Sequence, residues 1–174
     1  MKKKSFESNI LSVFETEEVS LNNFQKKIIT INAPDWVNII PITPEKEVVF
    51  VEQHRYGVNK KTLEIPGGMV DPGETPLSAV NRELLEETGY SSKEVTKLGV
   101  LSPNPALFTN NVFSYLAINT EKNNIKISAE ENINIHLIPL EEISELILKG
   151  KIDHALVVAA FYLFLNHHQN AHNA

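Results

Sequence analysis

Along the first third of the chain, β-branched and aromatic residues recur in short segments separated by turn material, a pattern that predicts strands. Residues 13–21 (VFETEEVSL) and 24–31 (FQKKIITI) are divided by Asn22-Asn23 and closed by Asn32-Ala33-Pro34-Asp35, so they read as two antiparallel strands. A third, over 36–42 (WVNIIPI), enters the core. Residues 48–53 (VVFVEQ) open on a near-continuous apolar run, which fits burial on both faces. A short strand over 62–65 runs into Pro66-Gly67-Gly68, and further strands are predicted at 95–101, 112–118 and 133–138.

Helices complete the pattern. The first has Thr75 placed as a cap, Pro76 at its first position and Gly89 to end it. At roughly 100° per residue, Leu77, Val80 and Leu84 form an apolar stripe bordered by Glu83, Glu86 and Glu87. A short helix over 141–148 stops at Gly150, and Asp153 caps a last, buried helix over 154–167. The predicted organisation is a loosely held arm (1–12) and strands within 1–33, a main domain over 34–167 and a frayed tail over 168–174.

Composition narrows the class. At 174 residues, with 42% hydrophobic and 22% charged, the chain suits one soluble globular domain that folds unaided. The absence of cysteine excludes disulfides, thiolate zinc sites and cysteine nucleophiles, and fits a cytoplasmic protein. The apolar run over 155–165 is well short of the roughly 20 residues that cross a bilayer. The basic opening MKKKSFESN is followed by no apolar run of export-signal length. No membrane partner is therefore expected. The net charge of −6 argues against a nucleic-acid partner, yet permits a small anionic substrate where a cation supplies positive charge.

The chemistry concentrates in residues 67–90, GGMVDPGETPLSAVNRELLEETGY. Glu83, Glu86 and Glu87 share one helix face within about a turn, where like charges cost a few tenths of a kcal/mol per pair. Glu86 and Glu87 also occupy the last turn, which the helix dipole makes unfavourable for anions, and Arg82 is the one basic residue of the helix. Breaking local rules twice in one turn points to function. Oxygen donors in this number suit a hard divalent cation, Mg²⁺ or Mn²⁺.

Gly68, Glu74 and the run Arg82-Glu83-Leu84-Leu85-Glu86-Glu87-Thr88-Gly89-Tyr90 resemble the signature box of the Nudix hydrolases, with Tyr90 where the family favours an aliphatic residue. The resemblance implies an α/β fold, an α/β/α sandwich with a mixed central sheet and a loop-helix-loop metal platform, carrying additional short N-terminal antiparallel strands. It implies Mg²⁺-dependent hydrolysis of a nucleoside diphosphate linked to another moiety. By the same resemblance Glu83, Glu86, Glu87 and the Gly67 carbonyl are metal ligands. Glu74 and Arg82 pair structurally, and Gly68 and Gly89 serve the backbone.

Outside the box, Gln53-His54-Arg55-Tyr56, Leu63-Glu64-Ile65-Pro66-Gly67-Gly68 and the C-terminal part from Glu130 to Ala155 are similar to the ADP-ribose pyrophosphatase branch. That similarity implies a homodimer, formed by exchange of the segment 12–32, and an acidic loop that supplies a metal ligand or the general base. Glu131 is the best match to the metal-contacting glutamate, Ala129 stands at the neighbouring position sometimes used as base, and Glu130 is the second candidate. Arg55 is a candidate for the substrate phosphates, because a guanidinium binds phosphate in a two-pronged way. Trp36 and Phe14 are candidates to stack on a base. The loop Pro103-Asn104-Pro105-Ala106 lacks the glycine and acid typical of the ADP-ribose enzymes, so two alternatives stand. One is a nucleoside triphosphate or dinucleoside polyphosphate substrate; the other is a nucleotide-sensing module without turnover.

Overall fold

The computed structural model describes residues 2–19, 25–123 and 133–172. Glu130 and Glu131 lie outside the described residues. In chain order the strands are β1 (Lys2–Glu7), β2 (Ser12–Val19), β3 (Gln25–Asn32), β4 (Trp36–Pro41), β5 (Glu47–Arg55), β6 (Lys60–Glu64) and β7 (Gly67–Met69). Helix α1 (Pro76–Thr88) follows, then β8 (Tyr90–Ser91), β9 (Glu94–Leu101), β10 (Val112–Ile118), β11 (Glu121–Lys122) and β12 (Asn134–Pro139). A 3-10 turn (Leu140–Glu142) leads into α2 (Ile143–Leu148), and α3 (Ala155–His172) closes the fold.

The core is mixed. β4 runs parallel to β10 and antiparallel to β7, and β9 joins the far edge of β10, giving the order β7-β4-β10-β9. β5 stands between β12 and β6, antiparallel to both. Alternation along the strands sorts side chains onto two faces. Val37, Ile39, Val49, Tyr115 and Ala117 pack against Val80 and Leu84 of α1. Ile40, Val48, Phe50 and Leu116 pack against Ile143 of α2 and Phe161 and Phe164 of α3. The apolar start of β5 is thus buried on both sides, as its continuous pattern predicts: Val48 and Phe50 serve one core and Val49 the other.

Three local expectations are corrected. Residues 2–7 are a paired strand rather than part of a loose arm, in register with β2 from Lys2↔Thr16 to Glu7↔Ser12. Every residue of β1 is exposed, so no hydrophobic alternation announces it. Leu77, assigned to the buried stripe of α1, is 47% exposed, while Ala79 is fully buried. Leu77 belongs to the first turn of the helix, where the side chain is left uncovered despite lying in line with Val80 and Leu84. Helix α3 continues to His172 instead of ending at His167, because no helix-stopping glycine or proline stands between them.

β1, β2 and β3 form a separate antiparallel sheet. It meets the main domain at Ile31, whose N–H donates to Leu107 O at 2.7 Å and whose carbonyl accepts from Thr109 N at 3.1 Å.

Candidate active site

Helix α1 is built to present one face to β7. Thr75, extended at φ −88° and ψ 152°, accepts from Ser78 N at 3.2 Å, a cap that contributes about 1 kcal/mol. Gly89 takes the left-handed conformation at φ 71°, which permits its N–H to reach Leu85 O at 2.8 Å and ends the helix. Between these caps Val80, Leu84 and Thr88 are buried, and so is Glu87, at 7% exposure. Glu87 therefore stands within the buried face, not at its border as periodicity alone suggests.

One partner of that buried carboxylate is backbone. Gly67 N donates to Glu87 Oε2 at 3.0 Å, while β7 is held to β4 through the pairing Asn38↔Gly67. The neighbouring glycine makes room for a second carboxylate. A Cβ on Gly68 would overlap Glu83 Oε1 and lie 2.7 Å from Oε2, so Glu83 occupies the space a side chain would take. A Cβ on Gly67 would overlap the Val37 carbonyl oxygen and lie 2.9 Å from Asn38 Cα. The paired glycines let helix and strand approach until two glutamates rest directly on the β7 backbone.

Arg82 ties the remaining parts together. Its Nε and Nη2 donate to Glu74 Oε1 and Oε2 at 3.2 and 3.0 Å, and Nη2 also donates to Met69 O at 3.0 Å. Nη1 donates to Glu83 Oε1 at 2.8 Å and to Glu86 Oε2 at 3.1 Å. One guanidinium thus joins β7, the loop before α1 and two helix glutamates, with Glu86 the most solvent-exposed of the set. Asp71 N donates to Glu74 Oε2 at 3.3 Å, which closes the loop.

The hydrogen bonds from Arg82 hold the Glu74 carboxyl below the usual carboxylate range, and Glu74 raises the guanidinium in return. A carboxyl lowered on folding adds stability that is fully present above its unfolded value of about 4.3 and is lost as pH falls through the folded value. Thermal stability is expected to fall below about pH 4, and Glu74→Gln to flatten that acid limb. Melting curves across pH 2.5–7 check this; the same limb in wild type and variant would remove Glu74 from the cause.

The donor chemistry fits a divalent metal. Glu83, Glu86 and Glu87 supply only hard oxygens, on a rigid helix, over a backbone cleared by Gly68. Among the described residues no three His, Cys, Asp or Glu side chains close around one point.

The other candidates lie on β4, β2 and β5. Trp36 pairs with Met69 across β4 and β7, and its ring is 5.8 Å from that of Phe108. Phe14, on β2, has the Lys2 ammonium 4.3 Å over its ring centroid, so one face is already covered by a cation. Arg55 is bound by Glu64, its Nε and Nη2 at 2.7 and 2.8 Å from the two carboxylate oxygens. Sequence reading gave Glu64 no role. The available signal was an acid in a short strand that runs into Pro66-Gly67-Gly68.

Fold and platform together define the class, an α/β/α sandwich built on a glycine-backed acidic helix. A family model described as the NUDIX domain matches residues 34–161, and the chain belongs to the Nudix family. It is a Nudix pyrophosphohydrolase that resembles the ADP-ribose pyrophosphatases. The methanol dehydrogenase activator of Bacillus methanolicus is 31% identical over 155 residues, covering 87% of this chain and 84% of that protein. The ADP-ribose pyrophosphatase of Bacillus subtilis is 27% identical over 149 residues, covering 84% of this chain and 80% of that protein. A crystal structure of an ADP compounds hydrolase superposes with a TM-score of 0.85 at 22% identity, covering 98% of this chain and 93% of that one, a likeness of fold.

Proposed function

We propose that this protein hydrolyses the pyrophosphate bond of ADP-ribose or a related nucleoside diphosphate sugar, using Mg²⁺ or Mn²⁺ held by Glu83, Glu86, Glu87 and the Gly67 carbonyl. The observation that carries the reading is the seating of Glu83 and Glu87 on the Gly67-Gly68 backbone, which brings two carboxylates of α1 against one strand. When bound, the cation neutralises pyrophosphate charge and lowers the pKa of a water. The chain's own part is to orient and to move the proton. Arg82 holds the platform's shape by bridging Glu74, Met69 and the helix. Arg55 binds substrate phosphate, and Trp36 or Phe14 stacks on the base. Glu131 adds a further ligand to that cation or accepts the proton from the attacking water, with Glu130 as second choice. The protein works in the cytoplasm as a homodimer in which the segment 12–32 exchanges between subunits.

A panel of ADP-ribose, nucleoside diphosphate sugars, nucleoside triphosphates and dinucleoside polyphosphates, assayed with Mg²⁺ or Mn²⁺ and resolved by chromatography, tests the reading. AMP and ribose 5-phosphate are expected from ADP-ribose, and a chelator is expected to stop the reaction until metal is returned. Glu131→Gln is expected to slow turnover in the same assay. Cleavage confined to triphosphates would overturn the substrate. The likeness to an activator of methanol dehydrogenase favours a second reading, action on a partner enzyme. A panel in which no small nucleotide is cleaved would point there.

A further inference from the structure

A buried carboxylate outside the acidic helix closes strand β6. Glu64 is 3% exposed. Its Oε1 accepts from Arg55 Nε at 2.7 Å and from Thr62 Oγ1 at 2.6 Å, and its Oε2 accepts from Arg55 Nη2 at 2.8 Å. His154 Nε2, 3.8 Å from Oε2, is beyond hydrogen-bond range. Burial alone would push this carboxyl up, but the bonds from Arg55 and Thr62 outweigh it and hold the group below the usual carboxylate range. Glu64 is therefore an anion at neutral pH.

A buried ion pair is a poor device for stability alone, because desolvation costs several kcal/mol per ion and well-packed apolar residues serve as well. The two ends of this pair also differ. Glu64 is enclosed, whereas the Arg55 side chain is 43% exposed, so the pair spans the boundary with solvent. A planar fork gripped through Nε and Nη2 is fixed in its plane as well as its position. Its location matters too. Only Ile65 and Pro66 separate Glu64 from Gly67, whose N–H meets Glu87. At the maximum chain advance, the two are within about 11 Å.

We infer that Glu64 is a positioning residue for the substrate diphosphate: its enclosed carboxylate, steadied by Thr62, locks the Arg55 guanidinium at the edge of the platform so that the diphosphate meets an already oriented fork. The inference rests on the reading of Arg55 as a phosphate ligand. It adds a residue that touches no substrate and acts through another.

Binding of ADP with Mg²⁺ to the full chain, measured by calorimetry, tests this without requiring turnover. Glu64→Gln is expected to weaken ADP about tenfold, and Arg55→Ala at least as much. The double variant is expected to bind no more weakly than Arg55→Ala alone, since the two residues act as one unit. Lys60→Ala, which breaks the neighbouring ion pair to Asp153, is expected to leave affinity unchanged. Multiplying losses in the double variant, an unchanged affinity in Glu64→Gln, or an equal loss in Lys60→Ala would each overturn the inference. Should Glu64→Gln fail to fold, Thr62→Val takes its place, with an expected loss of about threefold, and wild-type affinity there overturns it. Wild-type affinity in Arg55→Ala removes Arg55 from the site and the inference with it. A negative substrate panel beside these binding losses would overturn only the choice of reaction.

Discussion

Glutamine in place of Glu87 is expected to lower turnover by on the order of a hundredfold to a thousandfold while the fold and its melting temperature stay close to wild type. The separation of the two effects follows from the contact that Glu87 makes. Its Oε2 accepts the backbone N–H of Gly67, and a glutamine carbonyl oxygen accepts the same bond. The side chains are nearly equal in volume, so the packing beside Leu84 and Thr88 is kept. What is lost is a negative charge in a place sheltered from water, where its attraction for a cation is strongest. Steady-state rates with the preferred nucleotide, beside thermal melts of both proteins, check the prediction. Unchanged turnover would take Glu87 out of the site, and a collapsed fold would make its role structural.

The two glycines beneath the helix are expected to respond in opposite ways to the same methyl group. Gly67→Ala places its Cβ against the Val37 carbonyl and Asn38 Cα, rigid backbone in the central sheet. Such overpacking costs about 3 kcal/mol, or roughly 6–12 °C in melting temperature for a chain of this length. At Gly68→Ala the three atoms nearest the new Cβ all belong to the Glu83 carboxylate, the far end of a side chain that can swing aside. Stability is expected to change by less than about 1 kcal/mol. Turnover falls about a hundredfold, because a displacement of an ångström or so in a reacting group has that effect. Melting temperature and rate, measured on both variants, should therefore dissociate. Equal loss of stability in the two would show that Glu83 is as immobile as the strand.

Much of the frame is legible in the residues because local rules and tertiary packing agree. Thr75, Pro76 and Gly89 mark α1, and Val48, Val49, Phe50 and Val51 announce a strand covered on both sides. β1 is illegible for the opposite reason. It buries nothing, so its alternation carries no hydrophobic signal, and only pairing with β2 makes it a strand. In the site, helical spacing collects Glu83, Glu86 and Glu87 on one face but does not say which is buried, since that depends on how far the helix rolls toward β7. The four-way grip of Arg82 on Glu74, Met69, Glu83 and Glu86 depends on a loop that has to fold back. Glu64 is the least legible. Its partner Arg55 lies across the β5–β6 hairpin, and hairpin register is a property of two strands at once.

The parallel pairing of β4 with β10 sets an order of events in folding. Trp36 stands opposite Val112, and Ala117 opposite Pro41, so each residue of β4 waits for a partner 76 positions downstream (112 − 36 = 117 − 41 = 76). Gly67 leans on β4 through Asn38, and Glu87 leans on Gly67. Closing so long a loop is entropically slow, and non-local strand pairing delays folding. During synthesis α1 emerges well before β10 and can coil early, while the surface it docks upon remains half-built. The acidic platform is therefore expected to settle late in folding, once β10 has joined β4.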